Sequence, residues 1–475
     1  MRTSAIPFST LTDISEKIRL GEVSPVEVTS VLLDRIEDLD GNLKSYTTVL
    51  GERAMTKACE AEADIRRGFW KGPLHGVPIA VKDLCYTTYA PTSAGMHIHR
   101  DFVPPFNATV VDRLERAGAI ILGKLTMTEG AFGGHHPQMK TPLNPWHPEY
   151  WTGASSSGSG AATAAGLCYA SLGSDTGGSI RLPSTACGLT GVKPTFGRVS
   201  RHGVFPLAES LDHIGPMTRT AADAAVILGV IAGEDPGDPT SLAAPVPDYL
   251  GGLNAPIRGI RVGIDEEYVF GGVDPAVQRV VRDAMDALSS LGVRFVPVRF
   301  PEHEAVVSGW KSACSLETAI AHEATYPAQE SAYGPILKGL IDHGRKLTTF
   351  DYGKLTLERM NFCGALKKVF EDVDLLIAPV IPMMTPKAAD LPAIMAEDVG
   401  RLGRFTGPFN MSGSPTVTLQ GGFDPGGLPV GFQLVGRHLA EDLLLRAGHA
   451  FQGATDWHTR HPELVPAATP ALEIA

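Results

Sequence analysis

The chain predicts an α/β fold built on a large mixed, mainly parallel sheet. Three stretches carry that expectation. Residues 72–125 alternate strand and helix patterns, with a helical run at 109–117 followed by a strand-like run at 118–124. Residues 260–298 repeat the rhythm as strand (260–265), helix (274–291) and strand (294–298), the βαβ signature of parallel pairing. Between them, residues 151–195 read as loop, helix, strand, loop, helix. The 475 residues are 43% hydrophobic and 20% charged, enough apolar material for the extensive core such a sheet needs.

In chain order, residues 10–70 read as helices. Ser24-Pro25 is a helix start, with Ser as N-cap and Pro in the first turn. Val28, Val31, Leu32 and Ile36 then recur at helical spacing, and a second helix spans 52–67. The run Val77-Pro78-Ile79-Ala80-Val81-Lys82 is a buried strand ending in a charge. The Ala-rich run 161–166 favours helix, and the apolar run 167–172 a buried strand. Residues 234–256, rich in Pro, Gly and Asp, are a surface connection. Residues 300–400 are hard to read apart from a strand at 374–380; their aromatics (Trp310, Tyr326, Tyr333, Phe350, Tyr352) are candidates for a substrate pocket, but most read as core and none is singled out. A hairpin-like pair at 416–419 and 430–434 closes the pattern across the turn at Asp424.

The chemistry concentrates in two clusters of small residues, Gly153-Ala154-Ser155-Ser156-Ser157-Gly158-Ser159 and Asp175-Thr176-Gly177-Gly178-Ser179. Both fall where helices begin, so unpaired backbone N–H groups face outward. A Gly-Gly-Ser turn can converge successive N–H groups on one developing oxyanion while Ser179 attacks the carbonyl held there. It can equally be an ordinary flexible turn. A serine nucleophile needs a base, and no His lies within this stretch. Lys82 qualifies if its strand end is buried, because lost solvation favours the neutral amine. The alternative is a lysine that snorkels past the strand end to solvent.

Four segments together resemble the amidase signature family: GVPIAVKD at 76–83, GASSSGSG at 153–160, SDTGGSIRLP at 174–183 and GLTGVKPTFGRVSRHG at 188–203. The similarity runs from about Ser24 to about Gln452 and is weakest near 235–370. It implies one large α/β domain, with helices covering both faces of the sheet. Residues 1–70 are then a helical coat, 71–460 the body, and 461–475 a loose tail. It implies a Ser–cis-Ser–Lys triad of Ser179 as nucleophile, Ser155 as bridging serine and Lys82 as base. The N–H groups of Thr176, Gly177, Gly178 and Ser179 match the oxyanion hole. Asp175, Arg181 and Ser156 match supporting positions, and Phe132, Gly133 and Gly134 the acyl pocket. The usual GGSSGGS reads GASSSGS here, with Ala154 before the bridging serine and Ser157 further on.

The expected activity is hydrolysis of a small-molecule amide, with aryl amides, carbamates and esters as related substrates. An alternative is the glutaminase subunit of a tRNA-dependent amidotransferase. That branch carries MDEFAMG where this chain has MTEGAFG, which favours a free-standing enzyme. A non-catalytic binding protein on the same fold would be expected to have lost Lys82 or Ser179.

Other function classes find little support. A net charge of −11 argues against a nucleic-acid partner. No run of eighteen apolar residues or signal-peptide core appears, so no membrane partner is expected and the cytoplasm is the default. The six cysteines lack CxxC spacing and read as reduced core residues. Gly118 to Leu125 mimics a Walker A loop, but Leu125 stands where a magnesium-binding Ser or Thr is required. His135-His136, His303-Glu304 and His322-Glu323 lack the further ligands of a metal motif, so neither metal nor cofactor is expected. A homodimer is implied only by the resemblance.

Overall fold

The computed structural model describes residues 6–464, the side chains of 396–399 apart. Its centre is one 11-stranded sheet. The strands in chain order are β1 (Tyr46–Val49), β2 (Pro78–Lys82), β3 (Ile120–Leu125), β4 (Ala170–Asp175), β5 (Thr190–Lys193), β6 (His213–Thr218), β7 (Arg261–Ile264), β8 (Arg294–Pro297), β9 (Leu375–Pro379), β10 (Thr416–Phe423) and β11 (Pro429–Gly436). Their spatial order is β1-β3-β2-β4-β6-β5-β10-β11-β9-β7-β8. The sheet is the mixed α/β sheet expected, flanked by helices. Its parallel pairings form two blocks, β3-β2-β4 and β9-β7-β8. Antiparallel pairings join them through β6, β5, β10 and β11.

Several elements differ from the sequence expectation. The first seventy residues are not helical throughout, because Tyr46–Val49 pairs antiparallel with β3 at the sheet edge. The Ala-rich helix begins earlier, at Ser157, and ends at Ala164. Tertiary packing overrides the poor helix propensity of Ser157-Gly158-Ser159-Gly160. A Cβ at Gly158 would lie 2.5 Å from the carbonyl oxygens of Ser45 and Thr126, so only glycine lets this turn approach the sheet. The following strand starts three residues later than expected, at Ala170, which puts Asp175 at its last position. Residues 300–400 are largely helical, as Glu304–Ala321, Pro335–Gly344, Thr349–Asp372 and Leu391–Gly403. Of the six cysteines, none is disulfide-bonded; Cys59 is exposed and Cys363 half-buried, so these two are not core residues. The tail expected at 461–475 lies mostly outside the described residues, although His461 stacks on Phe8 with ring centroids 3.8 Å apart.

The register places the chemistry. β2 and β4 run parallel with Ala80 opposite Ser171 and Val81 opposite Leu172. Their carboxyl ends therefore open on the same edge, the side of a parallel sheet where ligands are held. Lys82 closes β2 and Asp175 closes β4.

Candidate active site

Lys82 is fully buried. Its Nζ lies 2.7 Å from Ser155 Oγ, 2.9 Å from Ser156 Oγ and 2.8 Å from Ser174 Oγ. No salt bridge reaches it among the described residues. Burial lowers its pKa to about 7, against weaker upward pulls from Cys85, Asp175 and Asp212. Three hydroxyls suit both states of this nitrogen. The ammonium donates to all three, whereas the amine donates two bonds and accepts one at its lone pair. Snorkelling to solvent is thus not what this lysine does.

The two adjacent serines separate by their bonding. The Ala154–Ser155 peptide is cis. Ser156 Oγ donates to Ser174 O at 3.2 Å and accepts from Ser174 N–H at 3.2 Å, which commits it to β4. Ser155 is buried with Lys82 on its hydroxyl, and its carbonyl takes the Thr128 N–H at 3.2 Å. The Ser156 N–H donates to Ser179 O at 3.3 Å, which brings the second cluster against the first. Ser174 was not singled out from the sequence; only the register of β2 on β4 puts its hydroxyl on Lys82.

The turn after β4 is organised by one carboxylate. Asp175 Oδ1 accepts from the Gly178 N–H at 2.8 Å, and Oδ2 from those of Ile180 at 3.1 Å and Arg181 at 3.4 Å. Arg181 Nη2 pairs with Asp175 Oδ1 at 2.9 Å, both side chains fully buried. Burial opposes ionisation of Asp175. The charge and hydrogen bonds of Arg181, with Lys193 and Asn410, outweigh it and hold the carboxyl well below its usual range. Gly178, expected among the oxyanion donors, therefore gives its N–H to the carboxylate. Gly177, Thr176 and Ser179 line the adjoining cavity.

That cavity measures about 930 Å³, and Ser179 lines it. Phe132 and Gly133 line it, while Gly134 lies off the lining against Ile336. Residues 300–400 supply much of the remaining wall, including Phe300, His303, Trp310 and Met395. Three groups that sequence reasoning missed hold the turn from far along the chain. Trp310 Nε1 donates to Thr176 O at 2.7 Å, Thr406 Oγ1 to Gly177 O at 2.7 Å, and Asn410 Nδ2 to Asp175 O at 3.0 Å. Tyr326 and Tyr333 are buried away from the lining, and Phe350 and Tyr352 are exposed. His135 is tied to Ser157 Oγ at 3.0 Å, and burial lowers its pKa to about 4. Lys124 of the Walker-like run is buried within the fold beside Asp83, 3.5 Å away.

Comparison with known proteins decides the family. The family model described as Amidase matches residues 27–445. The chain belongs to the amidase signature family. "Putative amidase AmiD" of Mycobacterium tuberculosis is 49% identical over 460 residues, covering 96% of each chain. A glutamyl-tRNA(Gln) amidotransferase subunit of Moorella thermoacetica is 38% identical over 486 residues, covering 96% of this chain and 99% of its own. The solved structure of 6-aminohexanoate cyclic dimer hydrolase complexed with substrate aligns with a TM-score of 0.87 at 25% identity, over 96% of this chain and 99% of that one. This amidase is a hydrolase that acts on amides. Among its described residues, no helix is long and apolar enough to cross a membrane.

Proposed function

We propose that this amidase cleaves a small-molecule amide through an acyl-enzyme on Ser179. Ser179 Oγ attacks the carbonyl carbon and passes its proton to Ser155, which passes its own to neutral Lys82. The carbonyl oxygen becomes an oxyanion held by the N–H groups of Gly177 and Ser179, beside Thr176. Collapse breaks the C–N bond, and the proton stored on Lys82 returns through Ser155 to the leaving nitrogen. A water then donates its proton along the same relay as it attacks the ester carbon, and Ser179 leaves as an alcohol.

One observation supports this reading above the rest: Lys82 is buried among three hydroxyls, with a pKa of about 7, so it can hold or release a proton near neutrality. Carbamates and esters share the same tetrahedral chemistry and are related substrates. The 38% identity to a tRNA-dependent amidotransferase component favours, as a second reading, a glutaminase working beside partner subunits.

The test is a fluorophosphonate label followed by peptide mass spectrometry. The label is expected on Ser179, and both labelling and turnover vanish in Ser179→Ala. Retained turnover in folded Ser179→Ala would overturn the nucleophile. A panel of amides, carbamates and esters run without added protein, against glutamine, then separates the two readings.

A further inference from the structure

We propose that Trp310 is a positioning residue that aims the oxyanion donor of Gly177. The inference rests on the acyl-enzyme reading above and adds a residue to it. A trans peptide points its C=O and N–H in opposite directions, so fixing one end fixes the other. Thr176 O and Gly177 N–H belong to the same peptide plane. The indole N–H of Trp310 donates to Thr176 O at 2.7 Å, a short bond to a carbonyl that lies 134 residues away in sequence. The Gly177 N–H is thereby turned away from the indole.

The neighbouring peptides are clamped in the same way but to other ends. Gly177 O accepts from Thr406 Oγ1 at 2.7 Å, while the N–H of that plane, Gly178's, goes to Asp175 Oδ1 at 2.8 Å. Gly178 O accepts from Leu182 N–H at 2.7 Å, leaving the Ser179 N–H on the opposite side. Alternate planes of the turn thus serve the buried carboxylate and the cavity. Of the two planes that serve the cavity, one is anchored by the turn's own helix and the other by Trp310.

The indole also dictates the residue at 177. A Cβ built on Gly177 would lie 2.3 Å from Trp310 Cζ2 and 2.6 Å from Cε2, inside any van der Waals contact. Glycine there is required by the ring's approach, since its φ is not among the positive ones. Trp310 sits on the helix Glu304–Ala321, which also forms cavity wall. The same helix therefore meets the substrate and orients the group that stabilises the transition state.

The experiment compares the parent enzyme with Trp310→Phe and with a second variant carrying 3-benzothienylalanine at position 310, which keeps the bicyclic shape and lacks only the N–H. Both are assayed on an amide that the parent turns over and labels at Ser179, so the acyl-enzyme reading is checked in the same preparation. Removing a preorganised oxyanion donor costs about a hundredfold or more, and losing its aim costs less, so kcat is expected to fall about tenfold in both variants. KM stays within about twofold in the benzothienyl variant, because the wall keeps its shape. Fluorophosphonate labelling slows in parallel with kcat. A benzothienyl variant with the parent's kcat, or one that loses only KM, would overturn the assignment while leaving Ser179 as nucleophile. If the parent is not labelled at Ser179, the acyl-enzyme reading fails first and takes this inference with it.

Discussion

Two lysines lie side by side in this protein and do different work. Lys82 ends β2, and Lys124 stands opposite Val81 on β3. Both are wholly buried, and burial lowers the pKa of each. Their company differs. Lys124 Nζ donates to Cys85 O at 2.6 Å and Thr92 Oγ1 at 2.7 Å, and pairs with the buried carboxylate of Asp83 at 3.5 Å. Lys82 meets only hydroxyls. A carboxylate partner stabilises the ammonium and makes a structural cation. Neutral hydroxyls leave the amine free to gain and lose a proton. Burial supplies the pressure toward neutrality, and the partners decide whether it is answered.

The comparison breaks most visibly at Lys82. Lys82→Ala should lower turnover by about a thousandfold or more in folded protein, because general-base transfer is lost. With Lys82 present the pH profile follows its pKa of about 7. Below that pH the ammonium cannot accept a proton. The rate should therefore climb about tenfold per pH unit in the acid limb and level off above neutrality. A rate that peaks in acid would remove Lys82 from the mechanism.

Lys124→Met should act on the other quantity. It strands the Asp83 carboxylate, which is itself fully buried, and should cost about 3–5 kcal/mol in urea unfolding. Turnover per folded molecule should stay within about twofold. A pH midpoint displaced by more than a unit in this variant would mean the two lysines are coupled.

Ser174→Ala is the finest cut. The Ser174 hydroxyl accepts from the Lys82 ammonium at 2.8 Å and so favours the charged form. Its loss lowers the lysine pKa further, and the acid limb should move to lower pH by about half a unit. A move to higher pH would reverse the assigned direction of that bond.

How much of this was readable in advance follows from how local each signal is. β2, β3 and β7 to β11 announce themselves as apolar runs between turn residues. β5 and β6 do not, because Thr190–Lys193 and His213–Thr218 interleave polar residues and glycine with isolated apolar ones and form no apolar run; both edges of each are paired within the sheet. Lys82, Ser155 and Ser179 could be nominated from the sequence because their motifs place each beside a strand end or a helix start, and that is where the structure puts them. Ser174, Trp310, Thr406 and Asn410 act through contacts that join distant parts of the chain, and no spacing rule reveals such contacts. The helix Thr349–Asp372 hid for another reason. It buries only Leu355, Phe362 and Leu366 among its described residues and leaves Phe350, Leu357 and Met360 exposed, so its apolar stripe is blurred.

The carboxylate that organises the turn after β4 has a consequence for synthesis. Arg181 Nη1 donates to Thr406 O at 3.0 Å, and Asn410 Nδ2 to Asp175 Oδ1 at 2.9 Å. A growing chain that has just passed Arg181 holds the Asp175–Arg181 pair but lacks Trp310, Thr406 and Asn410, which complete the frame of this turn. The proposed nucleophile is thus made early, and an unfinished or truncated translation product carries Ser179 without the Thr406 and Asn410 contacts that complete the turn around it.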